Sequence, residues 1–129
     1  MRIFKTKSFA RFARSERISD RSLVEAVQRA RHGLVDADLG GGVIKQRVAR
    51  PGQGRSGGYR VLIAYRQGVH SVFLYGFAKS ERANIDEDEL ATARDIAKGW
   101  LEASRQQIAN AIERGLIQEL RNDDEEEEA

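Results

Sequence analysis

Two alternating runs separated by Gln67-Gly68 constrain this chain more than any other feature. Tyr59, Val61, Ile63 and Tyr65 alternate with Arg60, Leu62, Ala64 and Arg66. After the turn, VHSVFLYGF continues with Val69, Ser71, Phe73, Tyr75 and Phe77 on one face. A period of two sends successive side chains to opposite faces of a strand. Two such runs joined by a two-residue Gln-Gly link make a β-hairpin. Val43, Ile44 and Val48, with Lys45 and Arg47 as basic neighbours, read as a third strand before them. Three strands with short links imply an antiparallel meander, one face packed on helices and the other open.

The flanks carry the helical period. RIFKT at the start is compatible with a short strand, and Phe9, Phe12 and Ala13 then fall at i, i+3, i+4. Ser19 is placed as an N-cap, Leu23, Val24, Val27 and Ala30 form a second stripe, and Gly33 stops it. DADLGGG reads as a polar link. From about Asn84 a C-terminal helical region runs through Leu90, Ala93, Ala97, Trp100, Leu101, Ile108 and Ile112, either as one helix or as two broken near Gly115. Asp86 and Glu89 stand at the spacing of a capping box, so the four acids Asp86–Glu89 read as a helix start rather than a metal site. The fold class expected is therefore α+β: two N-terminal helices packed on a small antiparallel sheet, followed by a C-terminal helical region. The expected division is a domain over 1–104, a helical extension over 105–121 and an acidic tail over 122–129. The tail DDEEEEA contains no residue able to join a core, and it is expected to be disordered in isolation.

A length of 129 residues suits one core. The chain has no cysteine and only His32 and His70, which removes thiolate metal sites and disulfides and leaves little for a zinc site. No cofactor or metal is expected. The basic, amphipathic start MRIFKTKSFARFARSER resembles a transit peptide in composition, but its apolar residues belong to the expected core and no long apolar span follows. No membrane association is expected, and the expected location is the cytoplasm.

Net charge, +2 overall, conceals a segregation. Met1–Arg82 holds 17 Lys and Arg against 6 Asp and Glu, a balance of +11, whereas Ala83–Ala129 holds 5 against 14, a balance of −9. A basic half of this size points to a polyanionic partner. The glycine-rich stretch GQGRSG matches the dinucleotide pattern G-x-G-x-x-G, yet a strand, not a helix, follows it, and the nearest acid beyond is Glu81 after a further strand. It is a loop between strands. Catalytic triads and paired carboxylates lack material in the sheet region, and His70 reads as a strand histidine rather than a general base. The remaining chemistry is cationic. Lys45 and Arg47 share one strand face, Arg50 and Arg55 lie on the loop, Arg60 and Arg66 on the next strand, and Lys79 and Arg82 follow the third. Tyr59, Tyr65 and Phe77 are candidates to stack on unpaired bases.

VIKQRVARPGQGRSGGYRVLIAYR followed by VFLYGFAKSERANIDEDEL resembles the RelE/HigB-type toxins of bacterial type II toxin–antitoxin systems, over Met1 to about Leu101. The resemblance implies a RelE-like α+β domain that enters the ribosomal A site and cuts mRNA without a metal, with a helix-turn-helix antitoxin as partner. The implied reaction is attack of a ribose 2′-hydroxyl on the adjacent phosphate. Residue by residue, Lys45 and Arg47 match the basic strand positions that hold or activate substrate. Arg60 matches the arginine that stabilises the phosphorane, and Lys79 the lysine after the third strand. Two positions depart: Ser80 and Asp86 stand where RelE has an arginine and a tyrosine. Arg82 is the substitute for that arginine, and the general acid stays unassigned. Other outcomes on the same scaffold are a non-cleaving nucleic-acid-binding or gyrase-directed protein, or an inactive toxin that only binds its antitoxin.

Overall fold

The computed structural model describes residues 1–50, 58–82 and 84–121. Arg55 and the acidic tail from Asn122 fall outside the described residues. In chain order the elements are β1 (Ile3–Thr6), α1 (Lys7–Ser15), α2 (Asp20–Arg31), β2 (Ala37–Gly40), β3 (Val43–Val48), β4 (Tyr59–Ala64), β5 (Ser71–Ala78), α3 (Glu87–Glu102), α4 (Arg105–Glu113) and β6 (Ile117–Glu119).

The expected small antiparallel sheet with one open face is corrected in three respects. The sheet has six strands in the order β2-β3-β4-β5-β1-β6, and it is mixed, because β1 runs parallel to β5. The short strand read at RIFKT is present as β1 but belongs to this same sheet, and the polar link expected at DADLGGG contains β2, paired antiparallel with β3. Both faces carry helices. Phe9, Ala13, Leu23, Val24 and Val27 of α1 and α2 share a core with Ile44, Val61, Ile63 and Phe73. Ala93, Ala97, Leu101 and Ile108 of α3 and α4 share a second core with Val43, Leu62, Ala64 and Val72. The one-sided reading followed Arg60 and Arg66 on the second face of β4 and passed over Leu62 and Ala64 between them, which are buried. Runs apolar on both faces signal a sheet buried between two layers.

Caps set the helix boundaries. Thr6 and Ser19 accept from the N–H groups of Phe9 and Ser22, both at 3.2 Å. Asp86 and Glu89 form the anticipated capping box at the start of α3. The C-terminal stripe breaks first at Ala103, where Ser104 and Gln107 make a second capping box that restarts the chain as α4, and again near Gly115 as expected, where α4 ends. Beyond α4 the chain returns to the sheet, where β6 pairs antiparallel with β1.

Hairpin β4–β5 is present, but its connection is longer than the two residues expected, since Ala64 pairs with Val72. A bulge then changes its faces. Ile63 pairs with Phe73 and Leu62 with Tyr75, so Leu74 is an extra residue on β5. Phe73 joins the α1/α2 core, while Tyr75 and Phe77, expected on the same face as Phe73, are turned to the other side with Leu62 and Arg60. Bulges re-aim side chains in this way. Gly58 marks the start of β4: a Cβ there would stand 2.3 Å from Val48 O and 2.7 Å from Arg50 N, so the two backbones approach too closely for any other residue.

Candidate functional site

The β3–β4–β5 register lays the basic residues out in two rows on the α3 side of the sheet. Lys45, Leu62 and Tyr75 face one another across the three strands, and Arg47, Arg60 and Phe77 form the next row. Helix α3 crosses this face with Glu89 at Tyr75, where the phenol donates to Glu89 Oε2 at 3.1 Å. Its other end lies at His70, whose Nε2 donates to Trp100 O at 2.6 Å. The helix thus covers the Val72 half of the face and begins where the two rows begin. Lys45 and Arg60 are half-buried, and Arg47 and Tyr75 are exposed.

Residues 79–86 frame the rows. Arg82 stacks its guanidinium over Phe77, 5.5 Å from the ring centroid. It donates to both Glu89 oxygens, at 2.6 and 3.1 Å, and to the Tyr75 hydroxyl at 3.3 Å. Its Nε donates to Asn84 O at 2.8 Å, and Lys45 Nζ donates to Asn84 Oδ1 at 3.3 Å. A continuous polar chain therefore runs from Tyr75 through Glu89, Arg82 and Asn84 to Lys45. On the other flank Asp36 holds Arg47, accepting from its backbone N–H at 2.7 Å and pairing with its Nε at 3.3 Å. Lys79 is exposed at the end of β5, with its backbone N–H donated to Gly58 O at 3.1 Å.

Electrostatics in this cluster follow from these contacts. Burial, and then the neighbouring Arg47 charge, lower the pKa of Arg60, with Asp36 opposing the shift. Arg47 and Arg60 are direct cross-strand partners, and like charges in that position repel. Such a pair is eased by an anion placed between them. Burial also raises Tyr75, reinforced by its hydrogen bond to Glu89, so the phenol stays protonated at neutral pH.

The two Arg82 hydrogen bonds hold the Glu89 carboxyl at about 2, against its usual 4.5. A depressed carboxyl stabilises the fold above its unfolded pKa and loses that contribution as pH falls through the folded one. Wild type should therefore be more stable than Glu89→Gln at neutral pH, with the gap closing between about pH 4.5 and 2. Thermal melts across that range test this; a gap unchanged by acid would contradict it.

Of the residues expected from sequence to act, Lys45, Arg47, Arg60 and Arg82 come together, with Lys79 at the rim. Others lie elsewhere. Tyr59 is only 2% exposed, part of the α1/α2 core, with its hydroxyl donating to Glu16 O at 3.3 Å. Arg50 lies over the Tyr59 ring, 5.6 Å from its centroid, on that same opposite side. Tyr65 and Arg66 lie beyond the far end of β4, roughly 20 Å along the strand direction from Arg60. They line a separate cavity with Gly40–Gly42. Asn84, Asp36 and Tyr75 belong to the cluster and were not expected in it from sequence, and Glu89 was placed only as a cap. Only the capping spacing of Asp86 and Glu89 located one of them in advance.

The profile of a family described as the RelE toxin of the RelE / RelB toxin-antitoxin system matches residues 1–120. The chain belongs to the RelE toxin family. It is thus the toxin of a toxin–antitoxin pair, and an antitoxin is its partner. The match extends past Leu101, where the resemblance from sequence was expected to end, and takes in α4 and β6. No curated protein matches the chain. Among the described residues no helix is long and apolar enough to cross a membrane.

Proposed function

We propose that this RelE-family toxin is an endoribonuclease that cuts mRNA in the ribosomal A site, in the cytoplasm, and is neutralised by a helix-turn-helix antitoxin. The observation that carries the reading is the convergence of Lys45, Arg47 and Arg60 on one sheet face, at the edge of α3. A strand-borne group is held more rigidly than one on a loop, which is what stabilisation of a developing charge requires. In the proposed reaction a ribose 2′-hydroxyl attacks the adjacent phosphorus, giving a 2′,3′-cyclic phosphate and a 5′-hydroxyl. Arg60, on the central strand, stabilises the phosphorane oxygens. Lys45 holds and activates the 2′-hydroxyl side, while Arg47, Arg82 and Lys79 bind flanking phosphates. Guanidinium and ammonium groups supply the positive charge, so the proposed step uses no metal.

The purified toxin, mixed with ribosomes translating a defined mRNA and with the same mRNA alone, tests this reading. Mapped 5′ ends should show cuts at A-site codons only in the translated sample. Intact message on translating ribosomes would refute it.

A further inference from the structure

Breaking a phosphodiester by 2′-hydroxyl attack needs groups on both sides of the phosphorus, because the attacking and leaving oxygens stand in line. The sheet supplies three adjacent strands for this. Lys45 is on β3, Arg60 on the central β4, and Tyr75 on β5, all on one face. Two strand spacings separate the Lys45 and Tyr75 backbones by roughly 10 Å, with the arginine strand between them. If Lys45 serves the 2′-oxygen and Arg60 the phosphoryl oxygens, the group left facing the 5′-oxygen comes from β5.

We propose that the Tyr75 hydroxyl donates the proton to the departing 5′-oxygen, with Glu89 and Arg82 positioning it. This rests on the ribonuclease reading above. Among the described residues, this face carries no histidine: His70 is bound to Trp100 O at the far end of the strand. Its other cations are poorer donors. Arg82 in particular is pushed further up by its hydrogen bond to Glu89. The phenol is neutral, solvent-exposed on one side, and held at two points, donating to Glu89 at 3.1 Å and accepting from Arg82 at 3.3 Å. Glu89, occupied by Arg82, is too weak a base to take its proton. Rotation about the Cζ–O bond turns the O–H from Glu89 toward the substrate while Arg82 stays on the phenolic oxygen.

The step balances. The 2′-oxygen forms its bond to phosphorus and its proton passes to water. The P–O5′ bond breaks, its electron pair stays on the 5′-oxygen, and that oxygen takes the Tyr75 proton. The resulting phenolate lies beside Arg82 until water reprotonates it.

A sulfur leaving group discriminates this role from a structural one, because a 5′-thiolate departs without protonation. The cut site is first mapped with wild type on translating ribosomes, and mRNA is then made with a bridging 5′-sulfur at that linkage. Tyr75→Phe should cut the oxygen linkage about 100-fold more slowly than wild type, yet cut the sulfur linkage within about threefold of it. Equal slowing on both linkages, or wild-type speed on oxygen, would overturn the assignment. Failure of wild type to cut either linkage would instead overturn the ribonuclease reading, and this one with it. Glu89→Gln should lower the oxygen rate with little change in ribosome affinity; full oxygen-linkage activity would remove its positioning role.

Discussion

Arg60→Ala is expected to abolish growth arrest by this toxin while leaving the protein at least as stable as wild type. The two effects have opposite origins. The guanidinium sits on the middle of three strands, where on the proposed reading it meets the scissile phosphate, and loss of one preorganised donor to a developing oxyanion costs about 10²–10³ in rate. In the free protein burial and the facing Arg47 disfavour the same charge on balance, against Asp36 and a hydrogen bond to Tyr59 O at 3.4 Å. Removing it relieves a like-charge cross-strand pair, worth some tenths of a kcal/mol. Arg60→Lys should recover part of the activity, since it keeps the charge but loses the planar fork that grips two phosphate oxygens. Cleavage assays and thermal melts on the same preparations read both effects. A variant that is inactive because it is unfolded would contradict the assignment, as would one that remains fully toxic.

Gln46→Leu is the converse case, a large loss of stability from the other side of the same strand. Gln46 lies between Lys45 and Arg47 but points into the α1/α2 side, with no exposed surface. Its Nε2 donates to Ala26 O at 2.9 Å and Leu34 O at 3.1 Å, and its Oε1 accepts from Asp36 N at 2.7 Å. One side chain thus ties α2, the segment before β2 and β3 together. Leucine is apolar and of broadly similar size, but it leaves those backbone groups without their partner, at about 1–3 kcal/mol for each one stranded. Since Ala26 O retains a second lone pair, a total of about 2–4 kcal/mol is expected. That is a large part of the 5–15 kcal/mol typical of a domain, and the melting temperature should fall by roughly 10 °C. Because Asp36 also holds Arg47, cleavage below the transition should fall only modestly. A shift of under two degrees would show that the three bonds contribute little.

The sequence was most legible where local pattern and tertiary environment agree. Alternation located β3, β4 and β5, the caps at Ser19 and Asp86 located the starts of α2 and α3, and the charge segregation located the basic strands. Strand-to-helix order around GQGRSG ruled out a dinucleotide loop without any structure. Longer-range features were hidden. Nothing local announces that RIFKT pairs parallel with β5 or that Ile117–Glu119 pairs with β1, because pairing partners lie some 70 to 115 residues away. The bulge at Leu74 was equally invisible, and it sets which face Tyr75 and Phe77 occupy. Strict alternation put Tyr75 with Phe73, in the core; one extra residue put it opposite Leu62 instead, on the face that carries Lys45 and Arg60. Tyr59 shows the same limit in reverse, since period two fixes relative faces but not which of them is covered by α1 and α2.

On the proposed reading, the basic face of this toxin cuts translated mRNA. The most direct test is the chemistry of RNA ends in cells after brief induction. New 5′-hydroxyl ends should appear inside open reading frames, in register with codons, and should be absent from cells producing Lys45→Ala/Arg60→Ala. Growth arrest with intact mRNA, accompanied by a DNA-damage response, would contradict the account and place the target elsewhere.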